Sequence, residues 1–158
     1  MWKSVFLMLC VTAFTGFGAA RADGQTSRKS VSAAEVTGTF RYTFPGKFKS
    51  TSSDIKILAL GRGKVKVAFE LVYPHFDSNG DVTTNVGEAE GEADISGDTA
   101  VYSSKEFGIP CKITIKFVKP GTIKVSQEGT DLDCGFGHNV RAGGTYTKVS
   151  NQKPRFGN

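Results

Sequence analysis

The chain has 158 residues, 39% of them hydrophobic, with 12 Phe, 20 Lys+Arg against 15 Asp+Glu, and a formal charge of +5 at pH 7. One domain accounts for that length, which excludes a multidomain enzyme and a multipass membrane protein. The apolar and aromatic content excludes a wholly disordered chain.

Residues 1–22 read as a cleaved export signal. Met1-Trp2-Lys3 gives a positive start, residues 5–17 an apolar stretch, and Ala20-Arg21-Ala22 a small-x-small cleavage site. The apolar stretch is shorter than the roughly 20 residues a membrane span needs, and no later segment approaches that length. Cys10 does not read as a lipoprotein site, because Leu7-Met8-Leu9 puts no small residue before it. Lys3 and Arg21 leave with the signal and no acid does, so the formal charge falls from +5 to +3. The predicted location is periplasmic or secreted.

Two cysteines remain, Cys111 and Cys134, and the oxidising compartment predicts a disulfide between them. Closing a loop of that length stabilises by roughly 3 kcal/mol in the chain-entropy account. Without a C-x-x-C spacing, a metal or redox role is the weaker reading.

Residues 23–32 are polar and small and read as a flexible leader. Residues 33–150 form the domain, and residues 151–158 a flexible tail. Within the domain the apolar period is two. Phe40, Tyr42 and Phe44 alternate with polar residues, as do Ile55 and Ile57. The same holds for Val65, Val67, Phe69 and Leu71, for Ile113, Ile115 and Phe117, and for Ile123 and Val125. Each run predicts a strand with one wet face. Gly61-Arg62-Gly63, Ser78-Asn79-Gly80, Ser96-Gly97-Asp98, Lys119-Pro120-Gly121 and Gly143-Gly144 supply turn signals. No segment after the signal reads as an amphipathic helix. The predicted fold is all-β, a single small antiparallel barrel or sandwich of about eight strands.

Glu88, Glu90 and Glu92 alternate with Gly87, Ala89, Gly91 and Ala93. This predicts an acidic outer row facing lysines such as Lys64 and Lys66, and an inner row of small residues that either leaves a cavity or admits a Phe.

Signals of chemistry are sparse. The histidines are His75 and His138, and no nucleophile elbow, zinc motif or phosphate loop occurs. The chain therefore reads as a non-enzyme without cofactor or metal. Asp77-Ser78-Asn79-Gly80-Asp81 with Glu88 resembles a calcium loop, but Val82 stands where such a loop needs Gly. Asn79-Gly80 reads instead as a hairpin turn. Phe40-Arg41-Tyr42-Thr43-Phe44 interleaves aromatics and bases as single-stranded nucleic-acid sites do. Burial of one strand face explains the aromatics more simply, and export removes that partner. The densest segment runs from Cys134 to Lys148. Gly135 and Gly137 beside the cysteine suit a constrained turn, either a plain turn into the last strand or a recognition loop. Phe136, His138, Asn139 and Arg141 are its candidate binding residues, with Phe136 read either as a core plug or as an exposed anchor.

Four motifs carry a resemblance: Cys111-Lys-Ile-Thr-Ile-Lys-Phe117, Ile123-Lys-Val-Ser-Gln127, Cys134-Gly-Phe-Gly-His-Asn-Val140 and Gly144-Thr-Tyr-Thr-Lys148. With Gly87-Glu-Ala-Glu-Gly-Glu-Ala93 and Ala100-Val-Tyr102, they resemble a group of small exported bacterial proteins, over residues 87–148. In some members a similar segment accompanies a domain named for lysozyme inhibition. The resemblance implies a periplasmic protein, the same cysteine pairing and no catalytic residue. The resulting expectation is an exported, non-enzymatic binding protein, with inhibition of a cell-wall hydrolase such as lysozyme as its sharpest form. Its partner would be a protein or an envelope polysaccharide. A structural envelope module and a small-ligand barrel are the competing expectations.

Overall fold

The computed structural model describes residues 30–105, 108 and 110–157. The predicted export signal and positions 23–29 of the leader lie outside them. Eight strands form one antiparallel meander: β1 (Gly38–Thr43), β2 (Ser52–Gly61), β3 (Lys64–Phe76), β4 (Val82–Ser96), β5 (Thr99–Ser104), β6 (Cys111–Lys119), β7 (Thr122–Glu128) and β8 (Gly144–Ser150). Pairing of β1 with β8 closes the sheet into a barrel. Closure pairs the two strands that an open sheet would leave as edges.

The alternation read from sequence sets which side chains face inward. Phe40, Ile55, Ile57, Val67, Ile113 and Ile123 are fully buried. Register keeps them level across the wall, with Ile55 opposite Phe69 and Ile57 opposite Val67. The small inner row of β4 meets large partners. A Cβ on Gly91 would lie 3.0 Å from the Tyr102 ring, and one on Gly87 would lie 2.8 Å from Val140 and 2.9 Å from Phe136. Aromatic and branched side chains thus fill the space that these glycines and alanines leave.

The outer wall is charged. Arg41 pairs with Asp54 at 2.7 Å, Lys66 with Glu90 at 2.7 Å, Lys64 with Asp94 at 2.6 Å, and Lys56 with Glu70. In the acidic row of β4, Glu90 pairs with Lys66 and Glu92 lies opposite it, as the alternation predicted, while Glu88 lies opposite Glu70. The carboxylates raise the affinity of Arg41 and Lys64 for their protons, and Lys66 with the Gly157 amide holds Glu90 below its usual range. The stretch predicted as a flexible tail is drawn back over this wall. The Lys66 ammonium lies 4.9 Å from the centre of the Phe156 ring, and the Gly157 N–H donates to Glu90 at 2.9 Å.

One end of the barrel is closed by a single helical turn, α1 (Ala33–Val36). The sequence reading missed it, because four residues are too few to show a 3.6-residue period. The available signal was Ser32-Ala-Ala-Glu35, a capping box in which the Ser32 hydroxyl accepts from the Glu35 N–H and the Glu35 carboxylate from the Ser32 N–H. Val36 drops into the core, and Val31 packs against it. Lys148 of β8 donates to the carbonyls of Ala34 and Thr37, which ties the turn to the barrel.

Gly143-Gly144 is not the hairpin turn predicted. It leads into β8 after a long crossing segment, residues 129–143, which closes the other end.

Candidate functional site: the plugged mouth of the barrel

β7 and β8 pair only over 122–125 and 144–147. The chain between them crosses the open mouth instead of turning tightly. Cys134, Phe136, Val140 and Ala142 are buried while Leu132 stays exposed, so the segment is a plug with its apolar side inward. A short 3-10 turn, Leu132–Cys134, ends at Gly135, whose φ of 73° is the left-handed conformation glycine tolerates best. A disulfide joins Cys134 to Cys111 at the start of β6, as expected.

Hydrogen bonds hold the plug from several sides. The Gly137 N–H donates to the Val86 carbonyl at 3.1 Å, and a Cβ there would lie 2.3 Å from that oxygen. The Asn85 amide donates to the His138 carbonyl at 2.7 Å. The Asp131 carboxylate accepts from the backbone of Asn139 and Leu132. The Gln127 side chain accepts from the Ala142 N–H at 2.9 Å, and Arg141 donates to the Gly129 carbonyl at 2.8 Å. The buried Tyr146 hydroxyl donates to the Ala142 carbonyl at 3.0 Å. Burial pushes its pKa well above the usual tyrosine range.

The plug separates the four candidate residues. Phe136 is corrected: it is no surface contact but a core residue, 3% exposed, edge-on to Phe69 with ring centres 6.3 Å apart. It is buried because its neighbours Gly135 and Gly137 let the backbone pass close to β4. His138 is exposed, 4.0 Å from Asp131. Asn139, with φ of 63°, and Arg141 are exposed and line one pocket of about 200 Å3 between the plug and the rim. Tyr42, Phe44, Tyr73 and Tyr146 supply its aromatic walls, and the inward-facing Ser53 is the most buried of its polar residues. Sequence reading noted Tyr42 and Phe44 but assigned them wholly to the core. Tyr73 gave no separate signal.

Beside the pocket stands an arm. β2 pairs with β3 only as far as Glu70, and β5 leaves β4 at Ala93, while β3 and β4 stay paired out to Phe76 and Val82. Residues 72–76 and 82–86 therefore extend beyond the flanking strands as a two-stranded ribbon. Tyr73, Phe76, Val82 and Val86 are exposed on it. Phe48 packs on Phe76 at 5.1 Å. At the tip, Asp77 Oδ1 accepts from the Asn79 and Asp81 N–H groups, both at 2.9 Å. The predicted turn is formed, and among the described residues no group of three or more His, Cys, Asp or Glu is placed to hold a metal.

The Asp131 carboxyl is held below the usual aspartate range, chiefly by the Asn139 N–H, which outweighs the opposing effect of burial, with smaller help from the Leu132 N–H and the nearby His138. A depressed folded pKa means that this stabilisation is present above the unfolded pKa and is lost as pH falls through the folded value. Carboxyl NMR titration of Asp131 is expected to give a midpoint below that of free aspartate. Asp131→Asn is expected to flatten the acid limb of plug stability. A midpoint at the ordinary aspartate value would show that the turn is not held by this carboxylate.

Comparison with protein-family models, curated proteins and solved structures found no match.

Proposed function

We propose that this is an exported, non-enzymatic binding protein of the bacterial envelope, with the plugged mouth as its recognition surface. The observation that carries this reading is where order and exposure coincide. The barrel interior is packed, so recognition belongs on the surface. At the mouth a turn held by hydrogen bonds and a disulfide presents Asn139 and Arg141 beside an aromatic pocket and an apolar arm. Rigid presentation of a few polar and aromatic groups lowers the ordering cost of binding.

Export fits the disulfide, which persists in oxidising compartments. No helix among the described residues is long and apolar enough to cross a membrane. The barrel wall itself carries ion pairs outward and apolar side chains inward, the reverse of a lipid-facing barrel. The predicted net charge of +3 favours weak attraction to anionic surface polymers.

The likeness of residues 87–148 to exported proteins associated with lysozyme inhibition supports a sharper version, in which the partner is a cell-wall hydrolase. The turn at 135–141 lies across the mouth, so the element able to enter a cleft is the β3–β4 arm. Its tip carries Asp77 and Asp81, and the wall behind it carries Glu88, which lies opposite Glu70 and not opposite a lysine. These acids give a basic hydrolase a local attraction that the net charge opposes.

The test is lysis of bacterial cell walls by several lysozyme types with and without the purified protein, run beside sedimentation of the protein with the walls alone. Inhibition near a one-to-one ratio, weakened by Phe76→Ala at the arm, establishes the inhibitor. Sedimentation with walls but no inhibition establishes a polysaccharide-binding module. Absence of both inhibition and sedimentation would overturn the envelope-binding reading.

A further inference from the structure

We propose that the pocket at the barrel mouth binds one carboxylated sugar ring. The inference deepens the reading of the mouth as a recognition surface, and rests on it.

Size comes first. The pocket holds about 200 Å3, below the roughly 300–1,000 Å3 of sites for drug-sized ligands. That suits one ring and not an oligomer lying lengthwise. It also opens at the rim, where a ring at the end of a chain can enter while the rest stays in solvent.

The lining is that of a sugar site. A pyranose ring has an apolar face of C–H groups and a rim of hydroxyls. Tyr42, Phe44 and Tyr73 offer aromatic surface to such a face, and their positions are fixed by packing. Tyr42 lies edge-on to Phe44 at 4.9 Å and packs on Tyr146 at 5.8 Å, and Tyr73 stacks on His75 at 5.9 Å. Polar groups converge on the same space. Among the described residues, the Asn139 side-chain amide and the hydroxyls of Tyr42 and Tyr73 make no hydrogen bond within the protein. An amide both donates and accepts, as a pair of sugar hydroxyls requires.

Ser53 supplies an independent observation. Its side chain faces into the barrel mouth and is 2% exposed. Its oxygen accepts from the Val72 N–H at 3.0 Å, but its own proton has no acceptor among the described residues. A buried hydroxyl with an unused proton is costly unless something accepts it. A ligand oxygen in the pocket would.

Arg141 sets the charge of the ligand. Arg141 lines the pocket, and one guanidinium N–H is used on the Gly129 carbonyl, which leaves four donors free. The carboxylates of this end lie elsewhere or are engaged: Asp54 is paired with Arg41, and Asp131 accepts from the backbone of the plug. A carboxylate on the ring would meet Arg141 in the charge-assisted geometry that guanidinium favours.

The experiment is an NMR titration of the 15N-labelled protein, residues 23–158, which contain every described element. The probes are methyl glucuronide, methyl glucoside and inorganic phosphate, with a glucuronic-acid oligomer as a fourth arm. Amide shifts at Ser53, Tyr73, Asn139 and Gly143 are expected with the glucuronide. Its affinity should be on the order of tenfold above that of the glucoside, the effect of one charge-assisted contact. Arg141→Gln should remove that preference and keep the glucoside response, while Tyr73→Ala should weaken both sugars. If the oligomer binds no more weakly than the methyl glycoside, the source is a chain end. If it does not bind, the ligand is a free sugar, and the ring assignment stands. Shifts by phosphate equal to those by glucuronide, shifts outside the mouth, or no response at millimolar sugar would overturn the proposal. Should the protein still sediment with cell walls or inhibit lysis, the failure belongs to the pocket assignment and not to the wider reading of the mouth.

Discussion

Replacing Phe136 with alanine is expected to lower the free energy of unfolding by about 3–5 kcal/mol, the usual cost of truncating a buried aromatic. The ring is 3% exposed and packs edge-on against Phe69. It fills the space above Gly87, where even a single added Cβ would lie 3.0 Å from its Cδ1. Little around it can collapse into the void. Gly87 is fixed in β4 by its pairing with Leu71, and the plug is fixed by the disulfide and by the bond from Gly137 to Val86. A rigid cavity is the expensive kind. Phe136→Leu, which keeps most of the volume, should cost on the order of 1 kcal/mol. Urea unfolding with a fixed slope measures both variants. A loss under about 1 kcal/mol for the alanine variant would mean that the side chain is not in the core, and it would return to the surface as a contact.

That residue shows where sequence reading stops. Alternation placed Ile113, Ile115 and Phe117 on an inner face because a strand needs only local pattern to define its two sides. Asn79-Gly80 gave the tip of the arm for the same reason. Whether the sheet closes depends on β1 meeting β8, a pairing between ends of the domain that no local pattern encodes. The small row from Gly87 to Ala93 announced that something large must lie against it. Tyr102 comes from the neighbouring strand β5, whereas Phe136 could be named only once the path of residues 129–143 across the mouth was known. A Phe flanked by two glycines beside a cysteine reads locally either as a core plug or as an exposed anchor, and the structure decides for the plug, since the glycines allow close passage over β4. The pocket was half legible. Asn139 and Arg141 stood out as polar groups on a constrained turn, but Tyr73 and Ser53 come from strands far away in sequence. They reach the pocket because β3 outruns β2 and because Ser53 falls on the inward phase of its strand.

Loss of the disulfide is the second large effect. Cys111→Ser should cost about 3 kcal/mol from the freed loop of the unfolded chain, seen as a fall of roughly 10 °C in Tm. The separation is 23 positions, and both residues are buried, Cys111 completely. A serine hydroxyl at that site adds a polar group without solvent, so Cys111→Ala with Cys134→Ala isolates the loss of the cross-link. The double alanine variant and the reduced wild type should then agree within about 1 kcal/mol. Finding both thiols free in protein isolated from its native compartment would sink the pairing. The barrel should survive the change, because its strand ladder does not pass through the sulfurs. The plug should not stay equally protected: amide exchange over 129–143 is expected to quicken more than exchange in β2 or β3. Phe136→Ala and the cysteine change act on the same element. Once the plug is loosened by one, the other has less ordered packing left to remove. The combined variant should therefore lose less stability than the sum of the two, a coupling that independent sites would not show. Additive losses would mean that the disulfide constrains only the unfolded chain and that the plug is held in place by its apolar side chains and hydrogen bonds alone.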